Sequence, residues 1–192
     1  MIIGLSGKQG VGKSTIAKEI ALRHTNVKVF KFANIIYELQ DYIYNRVGLT
    51  MQGEKDRPLL VALGMWGRSH NENIWVDVTL REALEHSRNG GIALIDDCRF
   101  PNEAKAIEDV GLLIRIRGQQ RGHYINEEMK VNPTETALDN YNFKNIINNE
   151  QSIEDMLKQL HNILGGNNVA ICGNGRDQYV LSCTTGKSPI KG

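Results

Sequence analysis

Near the amino terminus, Leu5 to Thr15 read LSGKQGVGKST, and Gly7, Gly12, Lys13 and Ser14 satisfy the spacing GxxxxGK(S/T). Each residue type in that pattern has a job in holding a polyphosphate. Glycines let the main chain wrap closely around phosphate oxygens with no Cβ in the way. The N–H groups of the loop and of the helix that follows converge on one point. The Lys13 ammonium reaches the β and γ phosphates, and the Ser14 hydroxyl is a ligand for Mg²⁺. Gly7, Lys8, Gly10, Val11, Gly12, Lys13, Ser14 and Thr15 are therefore the candidate ATP-binding residues. A second GKS, Gly186-Lys187-Ser188, fails the same test. Leu181 stands where the first glycine is required, and Pro189 follows in place of a helix, so it reads as a polar tail.

A second stretch with chemistry in it is Ile95-Asp96-Asp97-Cys98-Arg99-Phe100-Pro101-Asn102-Glu103. It begins at the carboxyl end of an apolar run, the edge at which open α/β sheets bind ligands. A carboxylate there can hold Mg²⁺ directly or through water. Asp96 is the first candidate because it ends the apolar run, and Asp97 is the second. Arg99 is suited to clamp a phosphoryl group through two parallel N–H bonds. Hydrolytic machines of this class often carry a glutamate just after the metal-binding aspartate. Here Asp97 and then Cys98 follow, which tilts the reading from ATP hydrolysis to phosphoryl transfer.

The elements that must position these groups are legible as alternating apolar runs and helical periodicities. Strands are expected at residues 1–5, 27–32, 92–95, 112–116 and 145–147. Helices are expected after the phosphate loop, at about 34–46, 58–67, 72–88 and 102–110, and as an amphipathic closing helix at 153–164. Alternation of this kind implies a doubly wound parallel α/β sheet of about five strands with right-handed crossovers. About 60 residues separate the second strand from the third and about 30 the fourth from the fifth, well beyond ordinary connections. Insertions at 34–90 and 117–143 therefore read as functional covers on one domain spanning 1–166. Residues 167–192, with candidate strands at 169–172 and 178–183, read as a hairpin or tail.

At 192 residues, with 41% apolar residues, 23% charged residues and a net charge of +1, the chain suits one globular domain. The near-neutral charge argues against bulk nucleic-acid binding. No secretory or membrane-spanning segment is apparent, which points to the cytoplasm. Cys98, Cys172 and Cys183 form no CxxC pair, so neither a zinc site nor a disulfide framework is indicated.

The phosphate loop, FKFANIIYEL at 30–39, DRPLLVALGMWGR at 56–68, NIWVD at 73–77 and DDCRFPNEAKAI at 96–107 together resemble the bacteriophage-type deoxynucleoside monophosphate kinases. The resemblance spans about residues 1–165. It implies transfer of the γ-phosphoryl of ATP, with Mg²⁺, to a deoxynucleoside monophosphate. It also implies a P-loop kinase fold in which 34–90 is the monophosphate-binding insertion and 117–143 the lid. It admits a homodimer. Carried over, it places Lys31, Phe32 and Ala33 at the start of the acceptor side, with Arg57 and Arg68 on the acceptor phosphate and Trp66 and Trp75 as candidates to stack on the base. Lys13, Asp96 and Arg99 would be joined in catalysis by Arg121, from a group with Arg115 and Arg117 where the lid begins. Asp97 and Glu135 complete the substrate-binding candidates, although Pro133-Thr134 precede Glu135 where relatives carry His and Ser.

Overall fold

The central strands are mostly apolar because both faces of the sheet are covered. The computed structural model describes residues 1–53, 55–120 and 133–166. β1 is Ile2–Ser6, β2 Val27–Phe30, β3 Ile92–Cys98, β4 Leu112–Gly118 and β5 Asn145–Asn149. All pair in parallel, in the order β2-β3-β1-β4-β5. β1 lies in the middle. The chain fills one side of it with β2 and β3 before crossing to β4 and β5, so the carboxyl end of β1 sits where the strand order reverses.

The pleat sends alternate residues to opposite faces, and two cores result. Ile3, Leu5, Leu94, Ile114 and Ile147 meet α1 (Lys13–Arg23) through Ile16 and Ile20, and the closing helix (Ile153–Gly166) through Met156, Leu160 and Leu164. On the other face Ile2, Ala93, Ile95 and Leu113 meet α4 (Ile74–Arg88) and α5 (Pro101–Val110) through Val76, Leu80, Ala104 and Ile107. Each fully buried Ile or Leu contributes roughly 1.5–3 kcal/mol. Leu138 and Phe143 also belong to this second core, so the carboxyl-terminal part of the 117–143 stretch is packed against the sheet.

Between β2 and β3 stand α2 (Asn34–Val47), α3 (Arg57–His70) and α4. Asp56 starts α3: its Oδ1 accepts from the Leu59 N–H at 3.1 Å, ahead of Pro58 in the first turn. The same residue ties α3 back to α2. Tyr44 donates its hydroxyl to Asp56 Oδ2 at 2.7 Å, and the buried Gln40 accepts the Asp56 N–H at 2.9 Å.

Several boundaries differ from the sequence expectation. β3 runs on through Asp96, Asp97 and Cys98 rather than stopping at Ile95. β2 stops at Phe30, because the N–H groups of Phe32 and Ala33 turn away to a carboxylate on β3. β4 includes Arg117 and Gly118. A short helix, α6 (Pro133–Thr136), precedes β5, and the closing helix is α7. Among the described residues no helix is long and apolar enough to cross a membrane. Arg121, most of the lid expectation, the candidate strands at 169–172 and 178–183, Cys172, Cys183 and Gly186-Lys187-Ser188 lie outside the described residues.

Candidate active site

The phosphate loop joins β1 to α1 at the carboxyl edge of the sheet. Gly10 and Gly12 adopt left-handed φ values of 78° and 103°, a conformation other residues take only with strain. At Gly12 a side chain would also meet Asn149. Asn149, at the end of β5, donates to the Val11 carbonyl at 2.9 Å and braces the loop from below. The Lys13 ammonium folds back over the loop and donates to the carbonyls of Gly7 and Lys8 at 2.6 and 2.8 Å. Burial, followed by the nearby Arg99 charge, lowers its pKa to about 8.

The two adjacent aspartates do different work. Asp97 is committed to the main chain, its oxygens accepting the Phe32 and Ala33 N–H groups at 2.9 and 3.1 Å. It thereby holds the segment that leads into α2. Asp96 is 8% exposed. Its Oδ2 lies 3.7 Å from Lys31 Nζ, while its Oδ1 is buried with no hydrogen-bond partner among the described residues. Burial raises the Asp96 pKa, opposed by the Lys31 charge. An orphaned carboxylate oxygen in the same cleft as the Ser14 hydroxyl is a donor set that fits Mg²⁺, which takes few protein ligands and completes its shell with phosphate and water oxygens.

Arg99 follows β3 and is held from two directions. Its N–H and that of Phe100 donate to Glu103 Oε2 at 2.7 and 3.0 Å. Burial pushes the Glu103 carboxyl up to about 7 despite those bonds. The Arg99 guanidinium donates through Nη1 to the Thr134 carbonyl at 3.2 Å and to Glu135 Oε1. Glu135 Oε2 accepts the Gln9 N–H of the phosphate loop at 2.7 Å. Glu135 is thus bonded to the loop and to Arg99, a placement distinct from the direct substrate contact expected of it.

A cleft of about 730 Å³ opens between the phosphate loop and the 34–90 insertion. It is lined by Lys13, Ser14, Lys31, Asp96, Asp97 and Arg99 and, from the insertion, by Tyr37, Lys55, Arg57, Leu60 and Val61. Arg57 lines this cleft. Trp75 does not: it is 5% exposed, with its indole N–H on the Gly64 carbonyl at 3.3 Å and its ring in the space left by Gly67. It locks α3 to α4 and has no face for a base. Trp66 is 56% exposed on α3, against His70, and is not among the residues lining the cleft. Arg68 lies 5.4 Å over the Phe100 ring, and Phe32 is buried in the core. Arg115, expected where the lid begins, belongs to the sheet. It is buried in β4, donating to Ser6 at 3.1 Å and lying 3.5 Å from Asp139.

Sequence reasoning missed Tyr37, Lys55 and Asn149. For Tyr37 there was one usable signal: an aromatic in the first turn of the helix directly after Lys31-Phe32-Ala33. For Asn149, two residues past the expected end of the fifth strand and at the end of the observed one, there was none.

A central parallel strand delivering a glycine-rich loop, a helix that opens on Lys13-Ser14, and an acidic end on the adjacent strand together define a P-loop α/β protein. The chain belongs to the AAA_18 family, described as an AAA domain, whose family model matches residues 3–125. Among solved structures, its fold is similar to TT1252 from Thermus thermophilus, with 18% identity, coverage of 86% of this chain and 97% of that one, and a TM-score of 0.55. It is also similar to the tunicamycin resistance protein of Deinococcus radiodurans, with 17% identity, 86% and 94% coverage, and a TM-score of 0.51. A curated relative is the uncharacterized protein ORF77 of Ictalurid herpesvirus 1 (strain Auburn), 25% identical over 140 residues. That alignment takes in 72% of this chain and 59% of the length of the viral protein.

Proposed function

We propose that this protein is a kinase that transfers the γ-phosphoryl of ATP to a deoxynucleoside 5′-monophosphate, giving ADP and the deoxynucleoside diphosphate. The observation that carries this reading is the lining of the cleft. The phosphate loop, Asp96 and Arg99 line it together with Lys55, Arg57, Tyr37, Leu60 and Val61 from the insertion. The cationic side chains suit an acceptor that brings its own phosphate, while Tyr37 and its apolar neighbours suit a base.

An oxygen of the acceptor phosphate attacks the γ-phosphorus, a new P–O bond forms, and the bond to the β–γ bridging oxygen breaks with its electrons leaving on ADP. The attacking oxygen is already anionic at neutral pH, so the site needs positioning and charge neutralisation more than a strong base. Lys13 binds the donor phosphates, and Arg99 neutralises charge on the group in transit. Mg²⁺, held by Ser14 and Asp96, would neutralise the β and γ oxygens.

The test is a coupled ADP-release assay across the deoxynucleoside and ribonucleoside monophosphates. At least one deoxynucleoside monophosphate is expected to raise turnover about tenfold or more above the ATP-only rate. Lys13→Ala is expected to lower that turnover by about two orders of magnitude or more. No acceleration by any monophosphate would sink the reading. Acceleration by a nucleoside or a coenzyme precursor would reassign the acceptor, and stimulation only by a protein or nucleic acid would make the chain a partner-driven ATPase.

A further inference from the structure

The proposed reaction needs Arg99 at a fixed place relative to the phosphate loop, yet the two belong to different elements. Arg99 follows β3, and the loop follows β1. One side chain bridges them, and it comes from neither. Glu135, on α6, is 8% exposed, receives the Gln9 N–H on one carboxylate oxygen and receives Arg99 Nη1 on the other. The same short segment makes a second tie, since Asp139 accepts from Lys8 Nζ at 3.0 Å. The Gln9 carbonyl, in the next peptide group, accepts from Gln120 Nε2 at 3.1 Å.

We infer that Glu135 is a positioning residue that fixes the Arg99 guanidinium relative to the phosphate loop, so that it faces the transferred phosphoryl. This rests on the kinase reading above and deepens it. Two features of the bridge favour positioning over plain stability. Among the described residues Arg99 bonds Glu135 and Thr134 through one nitrogen, Nη1, which leaves Nη2 and Nε as the edge that phosphoryl oxygens can engage. The Gln9 N–H is taken up by Glu135, so the bridge also withholds one loop N–H from a bound phosphate. A carboxylate with both oxygens bonded fixes distance and orientation together, whereas a single bond would fix distance alone.

The experiment is a double-mutant cycle on the full chain with Glu135→Gln and Arg99→Ala. Glu135→Gln keeps the size of the side chain and one acceptor oxygen but loses the charge and the second acceptor. It is expected to lower kcat about tenfold or more while both KM values stay within about threefold. In the Arg99→Ala background the same change is expected to alter kcat by less than about threefold, because the group being positioned is already gone. Glu135→Asp, which keeps the charge, is expected to recover part of the loss. Each variant is also measured for the ATP-only rate and for affinity of a fluorescent ATP analogue, where the same coupling is scored without an acceptor. A kcat within threefold of the parent for Glu135→Gln, or effects of the two changes that simply multiply on every readout, overturns the inference. If no monophosphate accelerates turnover while coupling persists in the ATP-only rate or the analogue affinity, the kinase reading fails and the bridge stands. A fall in Tm with multiplicative effects assigns Glu135 to the fold alone.

Discussion

At the scale of single residues, the protonation of Lys13 ties affinity to pH. Its ammonium sits in a partly buried site beside Arg99, and its pKa is about 8 instead of the usual 10.5. A polyphosphate binds the protonated form, so affinity must be lost as pH rises through the value of the unliganded protein. With binding restricted to the charged form, the Kd for ATP is expected to weaken about eightfold between pH 7.5 and pH 9. Lys13→Arg, charged throughout that range, is expected to flatten the profile whatever its absolute affinity. Equilibrium titration with a fluorescent ATP analogue at the two pH values checks both, and a flat profile in the parent protein would contradict the lowered pKa. The role of Lys13 was legible from spacing alone, because the loop, the lysine and the helix are contiguous in sequence. The partners that tune it were not. Arg99 and Glu135 reach it through strand order and through bonds spanning more than a hundred positions, such as Gln9 to Glu135, which no local pattern encodes.

At the scale of elements, the turn from β3 into α5 is organised by one buried carboxyl. Glu103 accepts the N–H groups of Arg99 and Phe100, yet burial lifts its pKa from 4.5 to about 7. The folded state therefore holds the proton more tightly than the unfolded chain. Its contribution to stability is greatest below about pH 4.5 and declines as pH rises toward 7. Glu103→Gln keeps an acceptor for both N–H groups without the charge, so it is expected to be more stable than the parent at pH 7.5 and to lose that part of the pH dependence. Glu103→Ala leaves two main-chain donors without their acceptor and is expected to cost about 1–3 kcal/mol for each. Urea unfolding at pH 5 and pH 7.5 separates the three, and a Gln variant weaker than the parent at pH 7.5 would refute the assignment. The strands and helices themselves were largely legible, since apolar runs and 3.6-residue periodicity mark buried faces wherever they occur. The errors fell where polar residues continue a buried strand. Asp96 and Asp97 extend β3 because Lys31 and the main chain at 32–33 accommodate them. Trp75 was misplaced for a related reason. Whether a helical Trp faces the cleft or the next helix depends on how α3 and α4 are rotated about their axes, which here follows from the room at Gly67.

At the scale of the whole molecule, the donor subsite is tied to distant parts of the chain. Asn149 from β5, Glu135 from α6 and Asp139 after it all bond to the loop that follows β1. The residues proposed to meet the acceptor come separately from α2, α3 and the segment between them. Nucleotide and acceptor should therefore stabilise the fold through different contacts, and their effects should be separable. A ligand at a hundred times its Kd adds about 2.7 kcal/mol to a folded state that alone binds it. For a domain of this size that corresponds to a rise in Tm of about 5–10 °C. A non-hydrolysable ATP analogue with Mg²⁺ is expected to give such a shift, and the preferred deoxynucleoside monophosphate a further one on top of it. Lys13→Ala should lose most of the first shift and keep the second, while Arg57→Ala should do the reverse. Thermal unfolding of the parent and both variants, with each ligand alone and with the pair, reads out all of these together. If the analogue and the monophosphate compete, so that the pair gives no more than the larger single shift, then the cleft is one subsite and the two-substrate geometry is wrong.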